Sequence, residues 1–188
     1  MQVPGLVVDG LLVLTHETAS STITYKTWEK FMNFVEHKDF KTAEADHLAA
    51  GWPQEDFRES YSRHVKSLIG VGDALGEDRA FGMATEFVAL SNPYDPAFDG
   101  TMKVSLTYQG QPRADTQIEV FERNPDGEVA VQLHRTDAEG NAAIPVPAGH
   151  AYLFDAVVLR KAPDPGDEPR APLWESLWAG LSFAVPAK

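Results

Sequence analysis

The sequence predicts an α+β protein: an N-terminal strand plus a three-helix segment over residues 1–84, then a seven-stranded antiparallel β-sandwich over residues 85–188. Three observations predict it. Apolar residues recur at helical spacing through much of the first half, and from Thr85 onward they alternate with period two between turn signals roughly 8–15 residues apart. The length sets the scale, because 188 residues can bury roughly 70% of their unfolded surface, enough for one good core or two small ones without a disulfide or a metal.

The elements follow in order. Leu11, Leu12, Val13 and Leu14 form an apolar run that reads as a buried strand, and Ser21, Thr22, Ile23, Thr24 and Tyr25 form a β-branched second one. Thr27 is placed to cap a helix whose Trp28, Phe31, Met32 and Val35 share one face. Asp39 is placed to cap a second, with Phe40, Ala43 and His47 or Leu48 inward, ended by Gly51. After the Gly51-Trp52-Pro53 turn, Phe57, Tyr61, Val65, Leu68 and Ile69 make an apolar stripe, predicting a third helix over residues 55–69. Residues 70–82 read as a connector.

The strands of the second half are marked by Glu86 to Leu90, by the alternation of Met102, Val104, Leu106 and Tyr108, and by Ile118, Val120 and Phe121. Asn124-Pro125-Asp126-Gly127 is a hairpin signal. Val129, Val131 and Leu133 alternate again; Ala142 to Val146, Tyr152 to Leu159, and Trp174 to Val185 supply the rest. The acidic, proline-rich residues 162–172 read as an exposed loop.

Charge and composition exclude several functions. Against 28 Asp and Glu stand 16 Lys and Arg, a net charge of −12 that opposes nucleic acid and anionic lipid, both of which need a basic surface. The acidity is spread, with 8 basic and 13 acidic residues in 1–84 (−5) and 8 and 15 in 85–188 (−7). With no cysteine there is no thiol nucleophile, disulfide or thiolate metal site. No apolar run approaches the roughly 20 residues that span a bilayer, so direct membrane insertion is not expected. The opening residues lack the basic flank and apolar run of a secretory signal. No GxSxG, P-loop or GxGxxG pattern occurs, which favours a non-enzymatic protein.

The run Thr136-Asp137-Ala138-Glu139-Gly140, a short apolar strand, then Pro145-Val146-Pro147-Ala148-Gly149, resembles the signature of Ig/transthyretin-like (carboxypeptidase-regulatory-like) β-sandwich modules. Such modules serve as spacers, adhesion domains and accessory domains, so the run indicates fold rather than function, and an interaction module that binds protein or carbohydrate through its loops is one expected function. Tyr25-Lys26-Thr27-Trp28-Glu29-Lys30-Phe31, the stretch from Phe57 to Leu68, Asn92-Pro93-Tyr94, Thr136 to Gly140 and the stretch from Trp174 to Phe183 extend the resemblance. In that order they are similar to an uncharacterised bacterial domain-of-unknown-function family labelled as a periplasmic component of nickel or cobalt uptake. The resemblance covers about residues 10–185. It implies a non-enzymatic periplasmic accessory or solute-binding protein whose partners are a divalent metal ion and membrane transporter components. That family's secretory signal and His-plus-aromatic opening segment are not present in this sequence.

Candidate ligands for nickel or cobalt must come from six histidines and the carboxylates. No two histidines have HxH, HExxH or HxxxH spacing. Glu44 and His47, three apart, share a helix face, and His64 lies on the apolar stripe of the expected third helix. Antiparallel packing of the second and third helices would bring Glu44, His47 and His64 together. The same residues also fit a solvated helix face and a satisfied, partly buried histidine. Asp95, Asp99 and Asp126 fit turn chemistry rather than calcium loops. Trp28, Trp174 and Trp178 fit core positions, whereas Trp52, between Gly51 and Pro53, could anchor a sugar or a protein partner.

Overall fold

Residues 57–71 decide the architecture, and they form a strand. The computed structural model describes residues 9–163 and 171–187, with 49% of them in strands and 10% in helices. The order is β1 (Gly10–Glu17), β2 (Ser21–Tyr25), α1 (Trp28–His37), α2 (Ala43–Ala49), β3 (Phe57–Val71), β4 (Thr85–Ala89), β5 (Thr101–Tyr108), β6 (Gln111–Pro112), β7 (Gln117–Arg123), β8 (Val129–Arg135), β9 (Asn141–Pro145), β10 (Ala151–Lys161) and β11 (Trp174–Ala184). Residues 1–8, and most of the acidic loop expected at 162–172, lie outside the described residues.

The expected fold, a three-helix segment followed by a seven-stranded antiparallel sandwich, is corrected. The protein is mostly β, with two short helices and two sheets, one of them mixed. The expected third helix is β3. Its stripe misled because the buried face of β3 changes along its length, from the helix-bearing face at residues 57–59 to the face toward the second sheet at residues 64–68, which breaks a single period-two alternation. Phe57 and Glu59 are buried on one face, His64, Lys66 and Leu68 on the other. Two polar residues at buried positions, Glu59 and Lys66, imitated the polar side of a helix.

One sheet has the order β1-β3-β11-β10-β7-β8, with β2 also on β3. β1 and β2 run along the same edge of β3, β1 against residues 64–71 and β2 against residues 57–61. The partner of β3 on its other edge, β11, is parallel, with Glu59 beside Trp174 and Arg63 beside Trp178. This parallel pair makes the sheet mixed. The second, four-stranded sheet sets β4 on one edge of β5 and β6 and β9 on the other.

The two sheets pack face to face. Leu68, Phe87, Met102, Leu106, Phe154 and Leu181 belong to the core between them, each almost wholly withdrawn from water. The first sheet's opposite face carries α1 and α2, whose Phe31, Val35 and Ala43 meet Tyr25, Phe57 and Trp174. Helix α1 forms as its stripe predicts, with Thr27 extended at the N-cap, although the Thr27 hydroxyl makes no capping hydrogen bond. Asp39 does not cap α2: it takes a positive φ of 61° between the helices, and Thr42 precedes α2. β8 is an edge strand, so Val129, Val131 and Leu133 stay exposed despite their alternation.

Candidate functional site

The parallel register of β3 and β11 places Glu59, Tyr61 and Arg63 beside Trp174, Ser176 and Trp178 on the helix-bearing face. β2 adds Thr22 and Thr24 on one side and α1 adds Lys30 and Phe34 on another, enclosing a cleft of about 620 Å³. That size suits a small ligand.

A hydrogen-bond chain fixes the cleft's inner wall. The Trp178 indole N–H donates to Ser176 Oγ at 2.9 Å, the Ser176 hydroxyl donates to Glu59 Oε1, and the Tyr25 hydroxyl donates to Glu59 Oε2 at 2.8 Å. Burial pushes the Glu59 carboxyl above the usual carboxylate range, against the pull of its Ser176 and Tyr25 hydrogen bonds. Burial and the neighbouring Glu59 push the Tyr25 phenol up as well. The Trp178 ring stacks on Phe34 at 5.9 Å and 20°, so its orientation is set both by packing and by its N–H.

Behind Trp178 lies a polar junction. Lys38 Nζ, 4.8 Å from the Trp178 ring centroid, donates to Glu119 Oε2 at 2.8 Å and to Asp155 Oδ2 at 2.7 Å. Burial pushes the Asp155 carboxyl up, while the Lys38 ammonium pulls it down. His37 Nε2 comes within 3.0 Å of Glu119 Oε1 without hydrogen-bond geometry, leaving that oxygen without a hydrogen-bond partner. At the mouth, Arg63 lies 5.3 Å from the Trp178 ring and 5.9 Å from the Tyr61 ring. Among the described residues neither Arg63 nor Lys30 has an ion-pair contact with a carboxylate.

The structure separates the three residues expected to hold a metal. Glu44 is exposed on α2. His47 is fully buried among Trp28, Phe57 and Trp174, and both its nitrogens are engaged, Nδ1 accepting the Trp174 indole N–H at 3.0 Å and Nε2 lying 3.0 Å from the Pro53 carbonyl. His64 points from the opposite face of β3, its Nε2 3.5 Å from Glu17 Oε2. No group of three His, Asp or Glu among the described residues is placed to hold a metal ion. The expected convergence required helix three, and β3 removed it. Asp95 and Asp99 accept backbone N–H groups from Ala97 and Thr101 as turn residues do. Trp52 packs edge-on against His47 and Trp174.

A family profile described as "Domain of unknown function (DUF4198)" matches residues 8–160. The chain belongs to that family. The description carries no metal, ligand or compartment. No curated protein and no solved structure matches this DUF4198 member.

Sequence reasoning assigned Tyr61 to a helix stripe and Trp178 to the core, and did not single out Glu59 or Arg63. A signal was present. Glu59, Tyr61, Arg63 and Trp174, Ser176, Trp178 are two runs of period two, each with an aromatic and a polar member, which is the pattern of a sheet face that is half core and half site.

Proposed function

We propose that this DUF4198 chain is a non-enzymatic, β-rich binding module that takes an acidic carbohydrate in the cleft between α1, β2 and the β3–β11 pair. One observation carries the reading: in a chain of net charge −12, Lys30 and Arg63, two cations with no direct carboxylate contact among the described residues, flank a cleft walled by Phe34, Tyr61 and Trp178. Aromatic walls receive the apolar C–H faces of a sugar ring. A guanidinium at the mouth suits a sugar carboxylate, which its planar fork can grip with two hydrogen bonds. Titration with oligogalacturonate and with a neutral oligosaccharide, followed by calorimetry and tryptophan emission, tests this. The acidic ligand should bind more tightly, and Y61A should weaken it by about 1–2 kcal/mol, roughly 5- to 30-fold. Equal failure of both sugars would remove the reading.

A second reading, from the family resemblance, is an accessory role in periplasmic nickel or cobalt uptake with transporter partners. It is supported by His64, whose Nδ1 is buried without a hydrogen-bond partner and whose Nε2 faces Glu17. Thermal unfolding with excess nickel or cobalt separates the two. A rise in melting temperature that H64A abolishes would favour the metal role.

A further inference from the structure

Away from the cleft, on the face of β3 turned toward the second sheet, Lys66 is enclosed by carboxylates. Its side chain and that of Asp78 have no exposure, and that of Glu86 has 2%. Lys66 Nζ lies 3.1 and 3.2 Å from the two Asp78 oxygens, 2.7 Å from Glu86 Oε1 and 2.7 Å from the Arg79 carbonyl. The Phe81 ring covers it, with its centroid 4.9 Å away. An ammonium and two carboxylates are thus withdrawn from water together, an arrangement whose desolvation cost is repaid only with well-placed partners.

The surroundings of Asp78 are those of an acyl group awaiting attack. Its Oδ1 accepts the Arg79 N–H at 2.8 Å and its Oδ2 the Ala89 N–H at 2.8 Å. These fixed donors are aimed at the oxygens on which charge would gather when a nucleophile adds to Cγ. Glu86 is held just as firmly, with Oε1 accepting the Phe81 N–H at 2.7 Å and Oε2 the N–H groups of Gly82 and Met83 at 3.0 and 3.2 Å. The Lys66 nitrogen is therefore preassembled with the carboxyl it would attack and with a proton carrier, each within hydrogen-bond reach of it.

We propose that Lys66 and Asp78 join in an intramolecular isopeptide bond, with Glu86 as the proton carrier. The Lys66 ammonium passes a proton to Glu86, and the freed nitrogen lone pair attacks Asp78 Cγ to form the C–N bond. Glu86 delivers that proton, and then a second one from the same nitrogen, to one Asp78 oxygen, which leaves as water when its C–O bond breaks. The ammonium and carboxylate become one neutral amide and one water, Glu86 ends as it began, and no oxidant or co-reactant is consumed. The bond staples the connector that leads into β4 onto the central strand β3, and it removes two of the three buried charges.

Intact-mass spectrometry of the denatured full chain tests the proposal. The wild-type protein should be lighter than its sequence by one water. Because trypsin cuts after Arg63 and Arg79 but not at an acylated lysine, residues 64–79 should appear as one cyclic peptide, short by one water and uncut after Lys66. D78A and E86Q should each show full mass and normal cleavage after Lys66, with folding checked by circular dichroism. Full sequence mass in the wild type would overturn the bond, whether or not the variants fold. So would a lost water accompanied by normal cleavage after Lys66, which marks an aspartyl succinimide. A cross-link that persists in E86Q would overturn the role given to Glu86.

Discussion

His47 Nδ1 accepts the indole N–H of Trp174 at 3.0 Å, tying α2 to β11 across 127 residues of chain. The imidazole is fully buried, and burial holds it below its usual value, against the pull of the Pro53 and Trp52 carbonyls. The unfolded chain therefore takes up the proton first. This contribution to stability is complete above the unfolded value of about 6.5 and is lost as pH falls through the lower folded value. His64 is shifted in the same direction by burial.

Urea unfolding of wild type and H47Q from about pH 7.5 to 5 should accordingly show a smaller loss of stability on acidification in the variant, once its lower starting value is subtracted. H47A should cost about 3–4 kcal/mol, combining the cavity with the orphaned Trp174 N–H. A pH slope equal to wild type in H47Q would mean that His47 is not the group titrating.

Lys38 neutralises two buried carboxylates at once, Glu119 and Asp155. K38M removes the ammonium from both and should cost about 3–5 kcal/mol near neutral pH, measured by denaturant unfolding. Asp155 already stands above its usual value because of burial, and loss of the ammonium raises it further. A raised folded value favours the protonated folded state, so the variant's deficit should shrink as pH falls toward the acid range and grow as pH rises through that value.

Ser176 is the link between Trp178 and Glu59. S176A removes the acceptor of one N–H and the donor to one carboxylate oxygen, a loss of about 1–3 kcal/mol. Trp178, left with only its packing on Phe34, should be held less firmly, which altered tryptophan emission would report, and affinity for an acidic sugar should fall with it.

Gly140 adopts a φ of +77°, and a Cβ there would sit 2.9 Å from both Arg113 N and Leu106 O. G140A should therefore destabilise the protein by about 2 kcal/mol, since backbone cannot move aside as a side chain can. Gly127 has a φ of +87° with open space around it. G127N should be close to neutral in the same thermal melts, because asparagine tolerates that region.

Much of the strand layout was legible residue by residue. Met102, Val104 and Leu106 alternate because one side of β5 meets the core, and all three are fully buried. The run Ser21–Tyr25 is β2 as read, and Phe31 and Val35 are the buried residues of α1 on the stripe that predicted it. Such features depend on one face of one element meeting a core, which periodicity records directly. The site was legible only as residue types. Trp178 and Tyr61 stood out as aromatics, but their meeting depends on a parallel register between strands more than 100 residues apart in sequence.

By itself the sequence determined the acidic balance, the absence of thiol chemistry, the turns, and the elements that bury a single face. Tertiary structure decided the rest. It turned residues 57–71 into a central strand, set Lys66 against Asp78 and Glu86, put Glu59 behind Trp178, and sent His47 and His64 to opposite faces. The reason is that a strand whose buried face switches along its length carries no one-sided pattern, and a polar residue buried among partners looks, in sequence, the same as one facing water.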